Sequence, residues 1–322
     1  MPTRRRPTRV TLAAMTVLVL SAACGQSATN QSGSNAPTTD VAAQVTRVPA
    51  QTSAATPSRS PSSPLPTPCP SEAATYDASS FPRFPHVDNP GLPLAPGTRL
   101  VLEGRADRGG GPLPHQVVFT VTDLVKVIDG IPNVVVFDTD IQDEAIAEAE
   151  LAFFAQDREG NVWNLGEYPE EYEDGKFVGA PSTWFSGIGD AQGGIHMRAN
   201  PQRGTGWYLQ GWVPSIEFLD CAQVSKTDET ACVPIKCFDG VLVTEETSPL
   251  DPDSGIQLKY HAPGIGIIQV GAVGGDEGET LQLVERRKLT AKELATARAS
   301  ALALEKHAYL TNPIYQQTKP AT

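Results

Sequence analysis

The chain has 322 residues, with 37 acidic against 25 basic side chains and a net charge of -12 when histidines are neutral. A surface this acidic is repelled by phosphate backbones and by anionic lipid headgroups, which excludes nucleic acid as a partner and excludes charge-driven adhesion to a membrane. The length suits one sizeable domain with segments to spare.

The first residues carry Arg4, Arg5, Arg6 and Arg9 without an acid, then an apolar run over residues 10–20, then Ser21, Ala22, Ala23 and Cys24. That order is the order of a secretion signal. The apolar run is too short to rest across a bilayer. Leu20-Ser21-Ala22-Ala23-Cys24 resembles a lipobox, with Ser21 where Leu or Val is commonest. We expect a signal peptide over residues 1–23 and a lipid on Cys24, which would hold the mature protein on the outer face of the cell membrane. Cleavage there removes four arginines and no acid, so the mature chain is more acidic still.

Residues 24–75 are rich in Ser, Thr, Pro and Ala and hold no aromatic residue. Such a stretch buries too little apolar surface to offset the entropy of ordering it, so it reads as a disordered tether. A folded domain is expected over residues 76–289. Val117, Phe119, Val121, Val125 and Val127 share one parity, the period-two mark of a strand with one buried face. Asp129-Gly130 signals a hairpin, after which Val134–Phe137 resumes β-type residues. A second turn is expected at Asp157-Arg158-Glu159-Gly160-Asn161, before Val162-Trp163. Residues 143–155 mix helix-forming Ala, Glu and Leu with an alternation of Ala149, Leu151, Phe153 and Ala155 against Glu148 and Glu150; the second half reads as strand. Later runs at 207–212, 217–224, 238–244 and 256–261 also read as strands. Short strands joined by Gly, Pro and Asp turns predict a mainly β, antiparallel curved sheet or half-barrel. Thr290-Ala291-Lys292-Glu293 fits a capping box, followed by a narrow stripe of Leu294, Ala297, Ala301, Leu304 and Ala308, so a C-terminal helix is expected over residues 290–310, lying on its own sheet, with a tail over 311–322.

With Cys24 lipidated, Cys69, Cys221, Cys232 and Cys237 remain, an even number outside the cytoplasm, which predicts two disulfides and no free thiol. A turn near Lys226-Thr227 would bring Cys221 to Cys232 and leave Cys69 for Cys237. The spacing does not suit zinc, and no cofactor motif is present.

No catalytic constellation stands out. GxSxG, HExxH and phosphate-loop patterns are absent. Asp138, Asp140, Asp143 and Glu144 alternate as calcium ligands can, but lack the EF-hand glycine and glutamate; a solvated loop is the plainer reading. Glu167, Glu170, Glu171 and Glu173 could pair for glycoside hydrolysis, and an exposed hairpin explains them as well. Trp163, Trp184, Trp207 and Trp212 surround the glycine-rich stretch 187–194 and are candidates for a ligand cleft or for core packing. His261, in Tyr260-His261-Ala262-Pro263-Gly264, reads as structural, at a strand end.

The run Ala155-Gln156-Asp157-Arg158-Glu159-Gly160-Asn161-Val162-Trp163-Asn164-Leu165-Gly166-Glu167, with Glu171-Tyr172-Glu173-Asp174-Gly175-Lys176, Gly194-Ile195-His196-Met197 and Tyr260-His261-Ala262-Pro263-Gly264-Ile265-Gly266, resembles a family of exported bacterial lipoproteins, largely actinobacterial and without established activity. The resemblance covers most of residues 115–270 and implies an all-β envelope protein; it assigns no functional residue. Three functions are therefore expected to compete: a non-enzymatic envelope lipoprotein binding an apolar or carbohydrate ligand or a protein on a curved sheet, a carboxylate-dependent hydrolase of envelope polymers, and a structural or interaction module without a small ligand.

Overall fold

The structure is a computed structural model. It describes residues 69–70, 74–107, 111–251, 255–275 and 278–322, together with a short backbone pairing of Ala14–Met15 with Ala22–Ala23. The rest of the expected signal peptide, Cys24 and nearly all of the expected tether lie outside the described residues.

Fourteen strands form one antiparallel sheet. They are β1 (Thr98–Asp107), β2 (Leu113–Ile128), β3 (Ile131–Gln142), β4 (Ala145–Gln156), β5 (Val162–Glu173), β6 (Lys176–Gly179) and β7 (Trp184–Phe185). Then come β8 (Gln192–Met197), β9 (Tyr208–Val213), β10 (Phe218–Val233), β11 (Lys236–Thr247), β12 (Ile256–Ala262), β13 (Gly266–Val273) and β14 (Gly278–Lys288). The sheet is mainly a meander, with β14 returning to pair with β1. It does not stop at a half-barrel. Gly194, Ile195 and Met197 of β8 pair with Asn164, Trp163 and Val162 of β5, which closes twelve strands into a barrel. Strands β6 and β7 add to the remaining edge of β5. Closure removes the open edges that would otherwise template aggregation.

The meander follows from local turn chemistry. Asp129 and Gly130 both have positive φ (48° and 77°), and Ile128 faces Ile131, as a tight two-residue turn requires. The Asp157 turn is held by its own carboxylate, which accepts from the Glu159 and Asn161 amides and from the Trp163 indole. Residues 145–156 are strand throughout, because both faces of β4 are buried and tertiary packing overrides helix propensity.

The sides of β2 are as expected, but its outer face is covered. The register shift between Val121 and Val125 inserts two residues into β2, so parity is kept across it. Lys126 is fully buried on the outer side, whereas Val127, of inner parity near the strand end, is 45% exposed.

Helix α1 (Ala291–Thr311) starts at the expected capping box, with Thr290 and Glu293 satisfying each other's backbone donors. It buries Ala297, Ala301, Leu304, Glu305 and Ala308. Ala301, Leu304 and Ala308 pack with Leu151, Phe153 and Phe185 on the outer face of the barrel. The tail returns to the sheet, where Thr322 exchanges both backbone hydrogen bonds with Val125.

All four described cysteines are oxidised, in a different pairing from the expected one. Cys69 bonds Cys221, and Cys232 bonds Cys237. The chain does not reverse at Lys226-Thr227. Strand β10 runs unbroken through both Cys221 and Cys232, which places them roughly 35 Å apart along the strand. The reversal comes at Pro234-Ile235, so Cys232 and Cys237 are direct cross-strand neighbours. Cys221 faces outward, where Cys69 packs with Leu209 and Leu219.

Candidate functional site: the acidic inner wall

Pairing registers identify the inner face of the barrel. Leu102, Val117, Asp140 and Glu148 stand opposite one another from β1 to β4, and Leu100, Phe119, Asp138 and Glu150 form the next row. Leu151 and Phe153, of the other parity, lie under the helix. The inner wall is therefore apolar in one zone and acidic in the next. Strand β3 contributes Asp138 and Asp140, β4 contributes Glu148 and Glu150, and β5 contributes Glu167. Across the barrel stand Asp220 of β10, Glu246 of β11 and Glu279 of β14. Each of these carboxylates is at most 6% exposed.

One lysine answers them from this wall. Lys259 of β12 is fully buried, and its ammonium lies 2.6 Å from Glu246. Burial alone would raise Glu246, but Lys259 and His196 hold its pKa down to about 2. His115 bridges Asp140 at 3.3 Å and Glu279 at 2.8 Å. Arg198 stacks on the Tyr208 ring at 4.5 Å.

Other groups have lost their hydration without regaining partners. Neither oxygen of Glu150 has a hydrogen-bond partner, nor do Oδ1 of Asp138, Oδ2 of Asp220 or the Tyr208 hydroxyl. Burial, reinforced by Glu167, Glu148 and Asp138, pushes Glu150 well above the carboxylate range. Burial and Asp140 raise Asp138 to about 7. Burial raises Asp220 despite the hydrogen bond from Ser248. His196 and His261 are pushed down to about 3 and 4 by burial.

These shifts oppose one another with pH. Asp138 is protonated in both folded and unfolded chains below its ordinary value of 3.8, and between there and about 7 only the folded chain keeps the proton. Its stabilisation is present in acid and lost as pH rises through 7. The two histidines act in reverse: their neutral folded forms add stability above about pH 6.5, which is lost as pH falls toward 4 and then 3. Thermal melts should therefore decline on both sides of a mildly acidic optimum. Asp138→Asn should flatten the decline between pH 5 and 8, recovering roughly 2–4 kcal/mol at the alkaline end. An unchanged alkaline limb in that variant assigns the titration elsewhere.

The residues singled out in the sequence are dispersed by the fold. Asp138 and Asp140 lie in the wall rather than in a solvated loop, while Asp143 and Glu144 occupy the β3–β4 turn, with positive φ. Glu167 faces inward and Glu170 outward, under the helix. Glu170 accepts hydrogen bonds from Tyr168 and Tyr172 and lies 2.6 Å from His307. Glu171 stands opposite Glu148, and Glu173 is at the β5–β6 turn. The four tryptophans do not share a cleft. Trp163 packs outside with Tyr76 and Phe81; Trp184 packs against Phe218 at one end of the interior; Trp207 and Trp212 lie beside the Cys69–Cys221 bond. His261 is 1% exposed and hydrogen-bonds the Gly91 carbonyl and Thr244.

No family model matches the sequence, and neither does any curated protein. Two solved structures are similar over 61% of this chain. One is a candidate exported protein with a YmcC-like fold from Bacteroides fragilis, 14% identical, with a TM-score of 0.33 over 98% of its length. The other is a candidate lipoprotein from Parabacteroides distasonis, 15% identical, with a TM-score of 0.28 over 97% of its length. Neither comes from an actinobacterium, the source to which the sequence resemblance pointed, and at this distance neither brings a ligand or a role to the inner wall.

Proposed function

We propose that this chain is an exported cell-envelope lipoprotein, held by a lipid on Cys24, whose barrel is a non-enzymatic module taking a polar ligand at its inner wall. The observation that carries the binding half is the set of buried acceptors without partners, led by Glu150. Native proteins rarely leave such groups unpaired, and an ion, water or ligand is the usual resolution. An apolar ligand suits this wall poorly. The anchoring half rests on the residues before Cys24 and on an acidic body that does not hold to headgroups by itself. The hydrolase reading is built on Glu167, Glu170, Glu171 and Glu173, and the fold splits that set: Glu167 and Glu171 face inward, Glu170 faces outward and Glu173 lies at the β5–β6 turn.

Cys24→Ser should move the protein from the membrane fraction to the soluble envelope fraction or the medium. A wild-type protein already soluble, with a free amino terminus, defeats the anchor. Native mass spectrometry of the intact chain should show a co-purifying polar molecule that Glu150→Gln loses. A bare mass from every preparation would count against the binding half.

A further inference from the structure

The carboxylates of β3 and β4 are not scattered. Asp138 is directly opposite Glu150, and Asp140 is directly opposite Glu148. Like charges in that relation repel, and burial removes the water that would screen them. The two pairs are two residues apart along each strand, about 7 Å. That distance is comparable to the separation of two amines joined by an extended four-carbon chain.

We propose that the inner wall binds a polyamine, an extended organic cation whose ammonium groups lie along these paired carboxylates; this names the ligand class of the polar-ligand reading and rests on it. Each ammonium offers three N–H donors and no acceptor. The carboxylate atoms left without hydrogen-bond partners include both oxygens of Glu150 and one each of Asp138 and Asp220; the Tyr208 hydroxyl, Nε of Arg198 and Nε2 of His196 are unpaired as well. Lys259 is already committed to Glu246. Among the described residues no three His, Cys, Asp or Glu side chains converge as a metal requires. Charge spread along a ladder suits a cation whose own charge is spread.

The test is calorimetric titration and thermal shift of the full chain with spermidine, at near-physiological salt to suppress surface attraction. Calcium chloride and maltotriose serve as parallel probes. Spermidine should bind and raise the melting temperature. Asp138→Asn with Glu150→Gln should weaken it about tenfold or more, the scale of lost hydrogen bonds to charged groups. Glu159→Gln, on the exposed β4–β5 turn, should leave binding unchanged. If the double variant folds poorly, spermidine should still slow hydrogen exchange of residues 148–152 in the wild type. Calcium binding with inert spermidine overturns the polyamine in favour of a metal. Maltotriose binding with inert spermidine overturns the cation and leaves the polar-ligand reading standing. No binding by any probe, with the alkaline stability loss intact, makes protons the only occupants and overturns both.

Discussion

Lys126→Met should destabilise the folded chain by about 3–5 kcal/mol and loosen the C-terminal helix from the barrel. Lys126 is fully buried between β2 and α1, and its ammonium lies 2.7 Å from Glu305. Burial lowers its pKa against the pull of Glu305, so the pair opposes a real desolvation cost. Aromatic rings offset part of that cost: the ammonium sits 4.1 Å from the Tyr315 ring centre and 5.1 Å from that of Tyr309. Glu305 also accepts from the Tyr315 hydroxyl and the Ala321 amide, so one carboxylate ties the barrel, helix and tail together. Methionine fills the space but leaves that carboxylate without its cation. Urea unfolding would give the stability change, and amide exchange in residues 297–308 would report the loosened helix. A loss under 1 kcal/mol would mean that Glu305 is satisfied by Tyr315 and Ala321 alone.

Removing the Cys69–Cys221 bond should cost more than removing Cys232–Cys237. The first spans 152 residues of sequence and the second only 5. In the chain-entropy model these closures are worth about 5 and about 2 kcal/mol. Cys221 is fully buried and Cys69 nearly so, against Leu209, Leu219 and partly buried tryptophans, so Cys69→Ala with Cys221→Ala also opens a small outer cluster. The short bond repeats a constraint already supplied by the β10–β11 hairpin, where the two cysteines are register partners. Guanidinium midpoints of the two double variants would rank them. Equal losses would show that the unfolded chain is already compact around residues 69–221.

Much of the barrel could be read from alternation and turn residues. Asp129-Gly130, the Asp157 turn, the strand runs and the Thr290 capping box all act locally, and each is where the sequence places it. Closure was not legible, because the pairing of β5 with β8 depends on how far the sheet coils. That single gap concealed the site. In a half-open sheet, acids alternating with apolar residues describe a solvated face, and Asp138 and Asp140 fit that description. Yet Val134, Val136, Asp138 and Asp140 share one parity, as do Glu148, Glu150, Ala152 and Phe154. Acids that continue a buried parity were the available signal. The cysteine pairing failed for a related reason: without the length of β10, Cys221 and Cys232 look like hairpin neighbours, although they ride one strand.

In a chain tethered through Cys24, as proposed above, the Cys69–Cys221 bond sets how mechanical load enters the protein. A pull arriving along the chain from Cys24 reaches Cys69 first and crosses there into β10, a strand held on both sides by β9 and β11. The segment from 70 to 97 is bypassed and carries no tension. Force is therefore borne sideways by a wall strand rather than by peeling the sheet from Thr98. With the bond reduced, the same pull would instead unwind the segment before β1, so redox state sets where this protein yields.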